Sequence, residues 1–245
     1  MRIEALADAD SVARAGAAFT AEQARAAVAA RGRFIMAVSG GHTPWKMLRE
    51  LADQHLPWAD VHVVQVDERI APAEHPDRNL THLRETLLAH CPLSPEQVHA
   101  MPVESADLDS ASREYTATLH RVAGTPAVLD LAHLGLGPDG HTASLVPGDP
   151  VLDVTDSDVA PTGLYQGRRR MTLTYPMLNR ARSIVWLVTG PEKAEMLARL
   201  YAADRSIPAG RIRQDQAVVL ADHDAAGALR LHSFAAPRSI GTLKT

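Results

Sequence analysis

The run VLDLAHLGLGPDGHTAS, residues 128–144, decides the fold. Its first nine residues are apolar apart from Asp130 and His133, a length and composition that suit a strand buried on both faces. The run then breaks at Gly137-Pro138-Asp139-Gly140-His141-Thr142, where another helix is expected to start. A buried strand ending in such a turn belongs to an α/β sheet, whose ligands bind beyond the carboxyl ends of the strands.

Working outward, residues 33–38 (RFIMAV) form a second short apolar run that enters Ser39-Gly40-Gly41. Thr43 followed by Pro44 reads as an N-cap with proline at the first helical position, and Trp45, Leu48 and Leu51 recur at helical spacing. Residues 61–66 (VHVVQV) predict a β-branched strand ending in Asp67-Glu68-Arg69. Asn79 is placed to cap a helix over 80–90, Ser94-Pro95 to open a turn before 98–101, and 105–121 reads as helical. Downstream, 170–174 and 183–189 predict strands, Tyr175-Pro176 a short helix, Gly190-Pro191-Glu192-Lys193 a helix through 203, and 217–220 a last strand. The Ala-rich segment 9–30 predicts a helix as the first element. Residues 149–167 are polar without a periodic pattern, and the tail from about 233 is expected to be loosely held.

Strands alternating with helices predict one α/β domain over residues 1–245, a mainly parallel, modified Rossmann-like sheet with helices on both faces. A hydrophobic share of 46% supplies its core, and an aromatic share of 4% leaves Ala, Leu and Val to fill it. The net charge of -4, with both signs interspersed, offers no basic stripe for a phosphate backbone, so no nucleic-acid partner is expected. Cys91 is the sole cysteine, so there is no internal disulfide and no CxxC pair for zinc. The N-terminal segment lacks the apolar core of a signal peptide and no run spans a bilayer; a cytoplasmic protein without a membrane partner is expected.

Ser39-Gly40-Gly41-His42-Thr43-Pro44 sets two glycines, a hydroxyl and a helix N-terminus where backbone N–H groups can face an anion. An ordinary strand-to-helix turn would read the same. Arg69 at a strand end offers a planar fork of donors to phosphate or carboxylate oxygens, while a surface ion pair within Asp67-Glu68-Arg69 is the ordinary alternative. A neutral imidazole at His141 can take a proton from water, with Asp139 two residues away to orient it; a capped helix with an incidental histidine is the bland reading. Lys193 in the first turn of a helix opposes the helix dipole unless an anion sits nearby, although most such lysines are simply solvated. The Ser39–Pro44 turn lacks GxxxxGK[ST] and GxGxxG, and the sequence lacks HExxH and GxSxG, so no nucleotide, metal or other cofactor and no serine nucleophile is indicated.

In their order, SGGHTP, VDER, Asp77-Arg78-Asn79, GLGPDGHTASLVPG, RMTLT and VTGPEKA resemble the 6-phosphogluconolactonase family over about residues 33–222. The resemblance implies the fold of the glucosamine-6-phosphate deaminase and ribose-5-phosphate isomerase type. It also implies hydrolysis of a small-molecule lactone, 6-phospho-D-glucono-1,5-lactone, to 6-phosphogluconate in the pentose phosphate pathway. His141 would be the general base and Asp139 its orienter. Gly40, Gly41, Thr43, Asp67, Arg69, Asn79, Arg170 and Lys193 would hold the substrate and its phosphate, in a monomer or small homo-oligomer.

His42, Arg78 and Val146 depart from the commoner serine, serine and phenylalanine of that family, which touches fine substrate contacts rather than the Asp-Gly-His unit. Two rival readings stay open. A deaminase or isomerase on the same fold would typically carry DEY and a later Asn-Glu-Pro, where this chain has Arg69 and Ser144-Leu145-Val146-Pro147. A non-catalytic sugar-phosphate sensor would need a DNA-binding segment, and none is visible.

Overall fold

The computed structural model describes residues 1–229, so the expectation for the tail from 233 lies outside the described residues. Seven strands form a parallel sheet: β1 (Arg2–Leu6), β2 (Phe34–Val38), β3 (Val61–Gln65), β5 (Val98–His99), β6 (Leu131–Gly135), β9 (Ser183–Val188) and β10 (Ala217–Asp222). Their order is β1-β10-β9-β6-β2-β3-β5. A smaller antiparallel sheet, in the order β4-β8-β7, joins β4 (Asp67–Arg69), β8 (Arg170–Leu173) and β7 (Val159–Pro161). The helices are α1 (Ala9–Arg31), α2 (His42–Ala52), α3 (Asn79–Thr86), α4 (Leu108–Ala123), α5 (Tyr175–Asn179) and α6 (Ala194–Tyr201).

Period-two alternation divides the core between the sheet's faces. Phe34, Met36, Val38, Leu131, Val185 and Leu187 pack with α1, α2 and α3. Ile35, Ala37, Ala132, Leu134, Ile184 and Trp186 pack with α4, α5, α6 and the small sheet. Because both faces are covered, the central strands read as continuous apolar runs, which is why they were visible in the sequence. Helix α1 matches its expected span. The Asp8 side chain accepts from the Ser11 amide at its start, and Gly32, at a φ of 72°, returns its N–H to Val28 at its end.

From β2 the chain steps outward through β3 to β5, and from β6 it steps the other way through β9 to β10. The loops leaving β2 and β6 therefore diverge, opening a crevice at their carboxyl ends. These loops are Ser39-Gly40-Gly41 and Leu136-Gly137-Pro138.

Several expectations need correction. The first element is a strand, not a helix: β1 is an edge strand with mostly exposed side chains, so it carries no apolar run. Helix α2 begins at His42 behind Gly41, so Thr43 sits inside the first turn and its hydroxyl bonds Thr189 Oγ1 at 2.6 Å instead of capping the helix. Pro44 is tolerated there because first-turn N–H groups lack intrahelical partners in any case. Asn79 is the first residue of α3, not its cap. No helix follows His141; residues 142–145 make a tight turn closed by a Thr142–Leu145 bridge. The helix expected from Gly190 is a 3-10 turn, Pro191–Lys193, followed by α6. Among the described residues no helix is long and apolar enough to cross a membrane.

Candidate active site

The crevice is a cleft of about 380 Å³. The loop after β2, the β6 turn, the ends of β4 and β8, and the segment after β9 all contribute to its lining. Gly40, Gly41, Thr43, Asp67, Arg69, Asn79, His141, Arg170 and Lys193 line it together, although they span more than half the chain. Asp139 stands behind His141 rather than on the lining.

The β6 turn is built around the imidazole. The Gly137 amide donates to the His141 carbonyl at 2.8 Å, and the Gly140 amide to the Gly137 carbonyl at 3.0 Å, winding residues 137–141 into a loop. Gly140 holds a φ of 80°, a conformation glycine adopts freely. Asp139 Oδ1 then accepts from the His141 amide at 3.1 Å and sits 2.5 Å from His141 Nδ1. In the neutral ring, a carboxylate acceptor at that distance fixes the proton on Nδ1 and leaves Nε2 as the bare nitrogen. Burial pushes the Asp139 carboxyl up. The His141 charge and N–H donors, with the Tyr165 hydroxyl, outweigh burial and hold it below the ordinary carboxylate range.

Across the cleft, Arg69 and Arg170 are direct partners in the β4–β8 register. Like charges in that relation repel, so the pairing favours an anion between them. Arg170 is 5% exposed, and its Nε, like that of Arg69, is buried without a hydrogen-bond partner among the described residues. Burial, partly opposed by Asp67, pushes the Arg170 pKa down. Arg69 Nη1 donates to Asn79 Oδ1 and to the Asp77 carbonyl, both at 2.9 Å. Asn79 in turn donates to Asp67, whose Oδ2 accepts from Ser144 Oγ at 2.5 Å. Gly40 lies so close to Asn79 that a Cβ there would overlap its amide.

Glu68, fully buried, organises this wall. Its Oε1 accepts from the Arg69 and Asn79 amides at 2.7 and 2.8 Å. Its Oε2 accepts from Gln65 Nε2 at 2.9 Å and the Leu80 amide at 2.8 Å, with Arg78 Nε at 3.2 Å. A buried carboxylate eleven residues before the first residue of α3 thus caps that helix, doing the work expected of Asn79.

On the other side, Gly41 at a φ of 121° starts α2 with no side-chain cap, so its first-turn N–H groups are available to the cleft. Asp222 accepts from the Gly190 amide at 3.1 and 3.0 Å and holds the turn that carries Lys193. Sequence reasoning missed Glu68, Ser144, Tyr165, Thr189 and Glu192. Ser144 lies inside the GPDGHTAS run, but its partner Asp67 is 77 residues away. Tyr165 falls in the stretch without periodic pattern.

A family model described as glucosamine-6-phosphate isomerases/6-phosphogluconolactonase matches residues 7–220. The chain is 39% identical over 212 residues to the 6-phosphogluconolactonase of Synechocystis sp., covering 83% of this chain and 88% of that one. It is 38% identical over 224 residues to that of Mycobacterium tuberculosis, with the same coverage. Among solved structures, 6-phosphogluconolactonase from Trypanosoma brucei superposes with a TM-score of 0.83 at 25% identity, over 93% of this chain and 98% of that one. A monomeric glucosamine-6-phosphate deaminase superposes with a TM-score of 0.82 at 18% identity, over 93% and 100%, a likeness of fold alone. The chain belongs to the glucosamine-6-phosphate isomerase/6-phosphogluconolactonase family.

Proposed function

We propose that the chain hydrolyses 6-phospho-D-glucono-1,5-lactone to 6-phosphogluconate, with His141 as general base. The observation that carries the reading is the Asp139–His141 pair, which leaves Nε2 bare on a cleft whose other walls hold Arg69, Arg170 and Lys193. The names of the relatives point to the same lactone.

In this mechanism Nε2 takes a proton from water as its oxygen attacks C1, and the carbonyl π electrons move onto oxygen. Collapse of the tetrahedral intermediate breaks the C1–ring oxygen bond, and the imidazolium returns the proton to the departing oxygen. The carboxylate of Asp139 keeps the ring oriented and offsets the charge it gains. At the far end the phosphate sits between Arg69 and Arg170, with Lys193, Gly40, Gly41 and Thr43 completing the grip. Asp67 and Asn79 hold Arg69 and the sugar side of the cleft. Distant binding of the phosphate positions C1 against water and the base. No metal or cofactor is required by these steps.

The test is release of 6-phosphogluconate from freshly prepared 6-phosphogluconolactone, followed through a coupled dehydrogenase. His141→Ala should lower turnover by about 100- to 10,000-fold with the fold retained. Near-normal turnover by that variant removes His141 from the mechanism. Ammonia release from glucosamine 6-phosphate, without lactone hydrolysis, would replace the reading with deamination.

A further inference from the structure

Residues 162–169, between β7 and β8, close a tight hairpin: the Tyr165 amide donates to the Arg168 carbonyl at 2.9 Å, and the Arg168 amide donates back at 3.2 Å. Gln166 and Gly167 at its tip hold φ of 51° and 76°. A two-residue turn with both centres at positive φ matches the twist of the flanking strands, but asparagine or glycine is the usual choice at the first centre. Gln166 is therefore held there against its own preference, and its surroundings must supply the restraint. Arg168 pairs with Asp77 Oδ2 at 2.5 Å and lies 3.2 Å from His75 Nε2, tying the tip to the loop after β4. Arg170 Nη2 donates to Gln166 Oε1 at 3.3 Å.

The pinned hairpin delivers one side chain to the site. The Tyr165 hydroxyl donates to Asp139 Oδ2 at 3.0 Å and lies 3.3 Å from His141 Nδ1. Its ring meets the imidazole edge-on with centroids 5.3 Å apart, and the Arg170 guanidinium lies 5.0 Å from its centroid. A single residue thus touches both the Asp139–His141 pair and the cationic wall.

We infer that Tyr165 is a positioning residue for the proposed lactone hydrolysis, fixing the second oxygen of Asp139 and linking the Arg170 guanidinium to the orientation of His141. The inference rests on that functional reading. A carboxylate tied through one oxygen can still rotate about its terminal torsion; a donor on the other oxygen removes that freedom. The same donor withdraws charge from the carboxylate and so weakens its hold on an imidazolium. Burial, then the bond to Asp139 and its charge, push the Tyr165 phenol above its ordinary range, so it remains a donor wherever the enzyme works.

The experiment compares wild type, His141→Ala, Tyr165→Phe and Tyr165→Leu for lactone hydrolysis across pH. Tyr165→Phe keeps the ring and loses only the hydrogen bond. Its kcat should fall about 10-fold at unchanged KM, with the acidic limb of the kcat/KM profile displaced to higher pH. Tyr165→Leu should add a rise in KM, because the face over Arg170 is gone. An active wild type and an inactive His141→Ala, together with wild-type kcat and pH profile in Tyr165→Phe, would overturn the role of Tyr165 alone. An inactive wild type would overturn the functional reading and this inference with it.

Discussion

Gly137 lies against the His141 imidazole so closely that a Cβ in place of its hydrogen would overlap the ring. Its φ is not in the left-handed region, so alanine would meet no backbone strain there, only the ring. Gly137→Ala should therefore turn His141 out of its bond with Asp139 while the β6 turn survives. The expected loss of turnover approaches that of His141→Ala, about 100-fold or more. Steady-state kinetics beside a thermal unfolding curve checks this; full activity in a folded variant would mean the ring has room to spare.

Glu68 meets only donors: amides of Arg69, Asn79 and Leu80, the Gln65 amide group and Arg78. In Glu68→Gln an NH2 replaces one acceptor oxygen and faces donors, and Arg78, 2% exposed, loses its buried counter-charge. Breaking a buried pair from one side costs about 3–5 kcal/mol. The urea midpoint should fall accordingly. A change of under about 1 kcal/mol would show that the wall tolerates a neutral centre.

The parts of this protein that the sequence made legible are those whose physics is local. A strand covered on both faces writes itself as an apolar run, so β2, β3, β6 and β9 were visible; SGG and GPDGH announce the turns at their ends. Edge strand β1 has no such run, and three-residue strands such as β4 and β7 are too short to show a period. Their pairing is long-range: Asp67 opposes Thr172 and Val159 opposes Leu173. Among the site residues, His141 and Asp139 adjoin in sequence, whereas the Glu68 cap on α3 and the Tyr165 donor on Asp139 exist only once separate segments meet. Asn79 opens α3 instead of capping it, because a cap from a distant carboxylate leaves no trace in local spacing.

Arg170 supplies a test of the phosphate grip through a comparison of two substrates. With Arg170→Met the cleft keeps a stem of similar length and loses the fork of donors. The KM for the phosphorylated lactone should rise by about 100-fold, as loss of charge-assisted hydrogen bonds worth up to about 3 kcal/mol implies. Turnover of unphosphorylated gluconolactone should fall far less, through the lost contact of Arg170 with the Tyr165 ring alone. Equal losses on the two substrates would move Arg170 away from the phosphate and toward the reacting carbon.

His133, on β6 and 1% exposed, predicts a dependence of stability on pH unrelated to catalysis. Neither ring nitrogen finds a partner among the described residues, and Val185 is its neighbour across the sheet. Burial pushes its pKa from an ordinary 6.5 down to about 4. Between those values the unfolded chain takes up a proton that the folded chain refuses, so stability falls as pH drops through that window and loses nothing more from this group below it. At 1.36 kcal/mol per unit, the full effect is about 3 kcal/mol. His133→Leu fills a similar volume without a titrating group, so its urea midpoint should drop less than that of wild type between neutral pH and pH near 5. At neutral pH the variant should be at least as stable, since two unpartnered polar atoms leave the core. Parallel midpoint losses in both proteins would assign the acid sensitivity to other groups.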